Sequence, residues 1–171
     1  MERAIKVCHL TSVHPVKDTR IFYKECRSLC DVGYDVTLIA QNDRDEIFNG
    51  IKIKGLAKPK NRLDRLVNTV KQVYMRALEV DADIYHLHDP ELLIAGRLLL
   101  KRSIVIFDMH ENLPKAILHK NWLSFFLRRI VSQLINQLEK VLLNGMFVIF
   151  ELSPYNCVKS RSHFSSPSVR M

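Results

Sequence analysis

Asp83-Ile84-Tyr85-His86-Leu87-His88-Asp89-Pro90 (DIYHLHDP) is the stretch that decides the fold. Ile84, Tyr85 and Leu87 make a short extended run of buried type. Asp89-Pro90 then opens a helix. Asp suits the N-cap, Pro the first helical position, and Glu91 the first turn, where negative charge meets the positive end of the helix dipole. A strand that runs directly into a helix is the start of a βαβ unit.

Working outward, the same alternation recurs on both sides. Residues 4–10 (AIKVCHL) read as a strand and 11–18 as a polar loop. A helix over about 19–31 follows, capped by Asp18 or Thr19, with Ile21, Phe22, Cys26, Leu29 and Cys30 at the helical period. Gly33 is placed to terminate it, and 34–40 (YDVTLIA) is the second strand. Residues 47–56 carry Asn49-Gly50, a turn signal between two short extended pieces. Residues 62–79 read as a helix with Leu63, Leu66, Val67, Val70, Val73 and Leu78 towards the core. Residues 103–108 form a strand, followed by a short helix near 113–119, a long one near 122–143, and a last strand at 146–150. Strands alternating with helices predict the α/β class, as a doubly wound, mainly parallel sheet with helices on both faces. The expected domain covers 1–159. The Ser-rich tail 160–171 lacks a period and reads as disordered.

The chain has 171 residues, room for one ordinary domain but not for two complete α/β domains. Its 26 Lys and Arg exceed its 18 Asp and Glu by 8, which favours an anionic partner. Eight of those cations (Lys52, Lys54, Lys58, Lys60, Arg62, Arg65, Lys71 and Arg76) face only Asp64 within residues 52–76. The long helix near 122–143 adds Arg128 and Arg129 beside Trp122, Phe125 and Phe126, and its composition suits the surface of an anionic membrane. No apolar run is long enough to span a bilayer or to serve as a secretory signal, and no aromatic platform or reading helix points to nucleic acid. Cys8, Cys26, Cys30 and Cys157 form no C-x-x-C pair and read as reduced core residues. The expected compartment is the cytoplasm, with peripheral contact at the inner face of the membrane.

In an open α/β sheet, ligands bind beyond the carboxyl ends of the strands. His14 and Arg20 follow the first expected strand, His88 and Asp89 the third, and Asp108, His110 and Glu111 the fourth. Histidines beside carboxylates on one rim can share protons near neutral pH, and the carboxylates can orient them or bind sugar-type hydroxyls. His86 lies two residues before His88 and points to the same side. His86-x-His88 and Asp108-x-His110-Glu111 could supply metal ligands, but H-E-x-x-H is absent and no metal is expected. No glycine-rich phosphate loop and no G-x-S-x-G elbow occurs, so no cofactor is expected in this domain.

Five segments in this order resemble the amino-terminal domain of family 4-like glycosyltransferases, two-domain enzymes of the GT-B type. They are Asp18–Glu25 (DTRIFYKE), Gly33–Ile39 (GYDVTLI), Asp83–Pro90 (DIYHLHDP), Asp108–Glu111 (DMHE) and Leu152–Tyr155 (LSPY). The resemblance implies transfer of a sugar, usually with retention, from a nucleotide-sugar donor to a sugar or lipid-linked acceptor. It implies that this domain holds the acceptor, while the donor nucleotide sits in a second domain or partner subunit, so the chain is expected to be truncated or half of a split enzyme. By motif match it makes His88 the histidine near the reacting sugar, lines the cleft with His110 and Glu111, and gives Arg20 a phosphate or acceptor charge to meet. It also implies no catalytic metal, and acceptor domains that touch membranes. The segment Ser12–Lys17 stands where many members carry a Gly-Gly loop. The other class considered is a non-catalytic basic module docking on an anionic membrane or a partner subunit.

Overall fold

The structure is a computed structural model that describes residues 3–109 and 125–150. The strands are β1 Lys6–Pro15, β2 Asp35–Gln41, β3 Glu46–Phe48, β4 Ile51–Leu56, β5 Ile84–Leu87, β6 Ile104–Met109 and β7 Phe147–Phe150. Helix α1 joins the segments Thr19–Cys26 and Arg27–Asp31, and α2 joins Arg62–Asp64, Arg65–Thr69 and Val70–Val80. Helix α3 joins Pro90–Leu92 to Leu93–Leu99, and α4 is Phe125–Leu143.

The sheet order is β3-β4-β2-β1-β5-β6-β7, parallel except for the β3/β4 hairpin. Without the hairpin strand, the six parallel strands lie in the order 3-2-1-4-5-6 of doubly wound folds. Their direction of winding reverses between β1 and β5, and that switch point is where such sheets place ligands.

Period-2 alternation builds both layers of the core. One face sends Cys8, Leu10, Tyr85, Leu87, Val105 and Phe107 against Val70, Val73 and Ala77 of α2 and Leu92, Leu93 and Leu99 of α3. The other sends Val36, Leu38, Ala40, Ile51 and Ile53 against Ile21, Phe22 and Cys26 of α1. The expected helices on both faces are therefore present. Tyr85, wholly enclosed, donates its hydroxyl to the Ala77 carbonyl (2.8 Å) and accepts from Ala82 N (3.0 Å).

Asn49 and Gly50 both have positive φ (50° and 80°), as the hairpin signal requires. Gly55 in β4 is required by close approach. A Cβ there would lie 2.7 Å from the Asn42 carbonyl oxygen and 2.8 Å from that of Arg44. Neither main-chain atom can swing away as a side chain would. Gly55→Ala is expected to cost about 1–3 kcal/mol, read as a lower urea midpoint. A wild-type midpoint would contradict this packing.

Two expectations change. Strand β1 does not stop at Leu10. Its register with β2 breaks between Leu10 and Pro15, and Pro15 then pairs with Gln41. Thr11–Pro15, expected as part of the loop, are thus held extended. In α2, Leu63, Leu66 and Val67 are exposed rather than buried. The stretch Arg65–Thr69 is wound as a π-helix, with more residues per turn. The phase of the first apolar residues therefore no longer matches that of Val70, Val73 and Ala77, which do reach the core. The expected helix near 113–119 and the tail 160–171 lie outside the described residues.

Candidate functional site

The β1–β5 switch point carries the polar groups. Parallel pairing sets His9 of β1 opposite His86 of β5, and Leu10 opposite Leu87. Tyr85 and Leu87 are committed to the α2/α3 face, so His86 and His88 must point to the α1 face, where His9 also points. The same alternation in β6 puts Phe107 in the core and Asp108 on the α1 face.

Helix α1 is aimed at this cluster from above. Asp18 at its N-cap accepts from Arg20 N and Ile21 N, each at 2.9 Å. Burial pushes the Asp18 carboxyl up, but those two main-chain donors and the adjacent His14 outweigh it and hold the carboxyl below its usual range. Ile21 and Phe22 anchor the helix in the core. Glu25 lies four and three residues beyond them, on the same side of the helix. Glu25 Oε2 is 3.7 Å from His9 Nδ1, 3.6 Å from His86 Nδ1 and 3.7 Å from His88 Nε2. Arg20 Nη1 holds the other oxygen, Oε1, at 3.3 Å and also pairs with Asp108.

The rings of His9 and His88 stack with planes 9° apart, and His9 Nδ1 lies 3.0 Å from His88 Nε2. Burial, then His86, His88 and Arg20, holds the His9 imidazole well below its ordinary range. Burial lowers His88 as well, against the opposing pull of Asp108.

Asp89 has a different task from the one expected. Its main chain starts α3, but its side chain makes no cap hydrogen bond. Instead Oδ2 accepts from Ser12 N (2.6 Å), Thr11 Oγ1 (2.8 Å) and Val13 N (3.3 Å), with Ser12 Oγ at 3.2 Å. The cap expectation is corrected because β1 continues past Leu10 and brings buried donors within reach. One carboxylate oxygen thereby fixes the end of β1 against the end of β5.

Of the expected site residues, the structure brings together His14, Arg20, His88, Asp89 and Asp108. His14 lies at the outer rim, with Nδ1 3.3 Å from Asp18 and Nε2 3.6 Å from Asp89. The His88 side chain is 0% exposed and lies beneath that rim, whereas that of Arg20 is 26% exposed. His110 and Glu111 lie outside the described residues. His9 and Glu25 carried no expectation. Their signals were a histidine inside an apolar strand and a glutamate on the apolar side of α1.

The expected basic surface is partly neutralised. Lys52 pairs with Asp35 (2.8 Å), Lys54 and Arg76 with Asp45 (3.0 and 2.9 Å), and Arg65 with Glu91 (2.9 Å). Lys58, Lys60, Arg62 and Arg129 are exposed, and Arg128 is half-buried. Along α4, Leu127, Ile130, Leu134, Leu138 and Val141 form an exposed apolar row. Among the described residues no helix is long and apolar enough to cross a membrane. Cys8 and Cys26 are buried free thiols, both pushed up by burial, while Cys30 is half-buried.

The model of Glycosyltransferase Family 4 matches residues 19–164. The chain belongs to that family. This span takes in the Arg20–Glu25 segment of α1, the β5 histidines and Asp108. Among curated proteins none matches the sequence. A solved sucrose-phosphate synthase from Thermosynechococcus elongatus has a similar structure, with a TM-score of 0.56 at 13% sequence identity. The match covers 86% of this chain and 47% of that one, so the chain spans about half the length of the synthase. At that identity the likeness concerns the fold. It agrees with the Rossmann-like sheet of a GT-B glycosyltransferase.

Proposed function

We propose that this family 4 chain serves as the acceptor side of an enzyme that transfers a sugar from a nucleotide-sugar donor, with the donor nucleotide held by other parts of the enzyme. The observation that carries the reading is Arg20. Its guanidinium is braced by Asp108 and Glu25 at the switch point, yet a quarter of the side chain remains open to the rim. In the reaction the bond from the anomeric carbon to the diphosphate breaks, and its electron pair leaves with the phosphate oxygen. The acceptor hydroxyl oxygen bonds to that carbon and passes its proton to the departing diphosphate oxygen. A fixed cation at the rim stabilises the charge that develops on the departing diphosphate. Asp108 and Glu25 hold Arg20 in place before the charge appears, which is the preorganisation such a step needs. His14 is exposed enough to hydrogen-bond an acceptor hydroxyl. His88, enclosed beneath the rim, acts as a positioning residue through Asp108. His110 and Glu111 are proposed, from the motif they share with Asp108, to line the same cleft.

The experiment is a transfer assay of this chain together with the parts that hold the donor nucleotide, over a panel of nucleotide sugars and acceptors, following glycosylated product and free nucleoside diphosphate together. Equal appearance of both supports the reading. Diphosphate release without an acceptor product contradicts it.

A second reading concerns where the domain sits, and the apolar row on α4 favours it. With Arg129 and Lys140 on the same helix, that row suits the interface of an anionic bilayer, which would present a lipid-linked acceptor to the rim. Flotation with anionic vesicles at low salt is expected to carry the protein upward, with release as salt rises. Absence from the vesicle fraction contradicts this reading and leaves glycosyl transfer untouched.

A further inference from the structure

We propose that His9, Glu25, His86 and His88 bind one divalent transition-metal ion of the zinc type between β1, β5 and α1. One ligand atom from each of the four lies within 4.8 Å of every other. Four of these separations are 3.0, 3.6, 3.7 and 3.7 Å, between His9 Nδ1, His86 Nδ1, His88 Nε2 and Glu25 Oε2. A tetrahedron around zinc with ordinary metal–nitrogen bonds has edges of about 3.3 Å. The four atoms therefore outline a coordination shell of nearly the right size, which inward rotation of the side chains closes.

The donor set is three imidazoles and one carboxylate without thiolates. That combination favours zinc, cobalt(II) or nickel(II) over the oxygen-seeking calcium and magnesium. His9 and His88 are the two most enclosed of the three rings. Coordination places their N–H groups on the far nitrogens. For His88 that nitrogen is Nδ1, which faces Asp108 Oδ2 at 3.7 Å, the carboxylate–histidine arrangement that orients metal ligands. Arg20 occupies Glu25 Oε1 and leaves Oε2 directed at the imidazoles. Three constraints fix the four ligands: strand register for His9 and His86, stacking on His9 for His88, and its place on α1 for Glu25. Such mutual restraint is what a metal site needs.

The absence of H-E-x-x-H argues against a metal in the sequence, whereas the fold adds to His86-x-His88 two ligands, Glu25 and His9, that lie 61 or more residues away. The ion would be closed in by four protein ligands, so a structural role fits, one that ties the switch point together beneath Arg20. The inference is independent of glycosyl transfer, since metal content is read without any sugar.

The test uses tag-free protein incubated with zinc chloride, passed through gel filtration and analysed for metal. Wild type is expected to retain about one ion per chain. Glu25→Gln keeps the size of the side chain and removes its charge. It is expected to bind roughly tenfold more weakly or worse, since even outer-shell partners are worth that much. His86→Ala, checked for fold by circular dichroism, is expected to lose the ion, and His14→Ala, outside the four, to keep it. Cobalt(II) in place of zinc is expected to give the intense visible absorption of a four-coordinate site. A wild-type chain that emerges free of metal overturns the proposal, as does an ion that survives Glu25→Gln and His86→Ala or departs with His14→Ala.

Discussion

Replacing Asp89 with alanine is expected to destabilise the protein by about 2–5 kcal/mol, an effect as large as a well-packed core truncation. The reason is the convergence of donors on one oxygen. Ser12 and Thr11 are fully buried, so Ser12 N and the Thr11 hydroxyl have no water to turn to once Oδ2 is gone. Each stranded donor costs about 1–3 kcal/mol. Val13 is exposed, and its N–H can be rehydrated at lower cost. Asp89→Asn keeps an oxygen in place and loses the charge-assisted part of each bond, so it should fall between wild type and alanine. Urea denaturation reads the order directly. A midpoint for Asp89→Ala equal to that of wild type would mean that the end of β1 is not held by this carboxylate. Because Oδ2 is committed to β1, the asparagine variant should disturb stability more than acceptor KM.

Arg20→Ala is expected to lower kcat for transfer roughly 100-fold or more, the scale found when one preorganised donor to a developing anion is removed. The loss should appear mainly in kcat, because the charge that Arg20 meets grows only as the diphosphate leaves. Lysine at this position keeps the cation and should recover part of the rate. It loses the planar fork and therefore cannot recover all of it. Arg20 also neutralises Asp108, whose side chain is only 8% exposed, and Glu25. Some stability will be lost with it, so rates are compared per folded molecule.

The frame of this fold was legible in the sequence because local chemistry sets it. Alternation in DIYHLHDP fixed which residues of β5 face the core, Asn49-Gly50 marked the hairpin, and Gly33, at φ 96°, ends α1 where it was expected. The strand ends that carry the site could be found from the same pattern. What stayed hidden depends on long-range pairing. Asp89 looked like a helix cap because Thr11 and Ser12 are distant in sequence. Residues 52–76 looked strongly basic because Asp35, Asp45 and Glu91 lie outside that window. Leu63, Leu66 and Val67 looked like core because periodicity assumes a uniform helix, and the π-wound stretch of α2 breaks that assumption. His9 and Glu25 join the cluster only through strand register and the placement of α1, neither of which a single segment encodes.

The most direct test of the central claim, that the switch-point rim serves sugar transfer, is to measure product formation by wild type and Arg20→Ala side by side. Both would be assayed in the complete enzyme, with the parts that hold the donor nucleotide present, on the same nucleotide-sugar donor and acceptor and after matching their folded fractions. The account predicts glycosylated product with stoichiometric nucleoside diphosphate from wild type, and a kcat roughly 100-fold lower or worse from the variant with little change in acceptor KM. Equal kcat in the two proteins would contradict it.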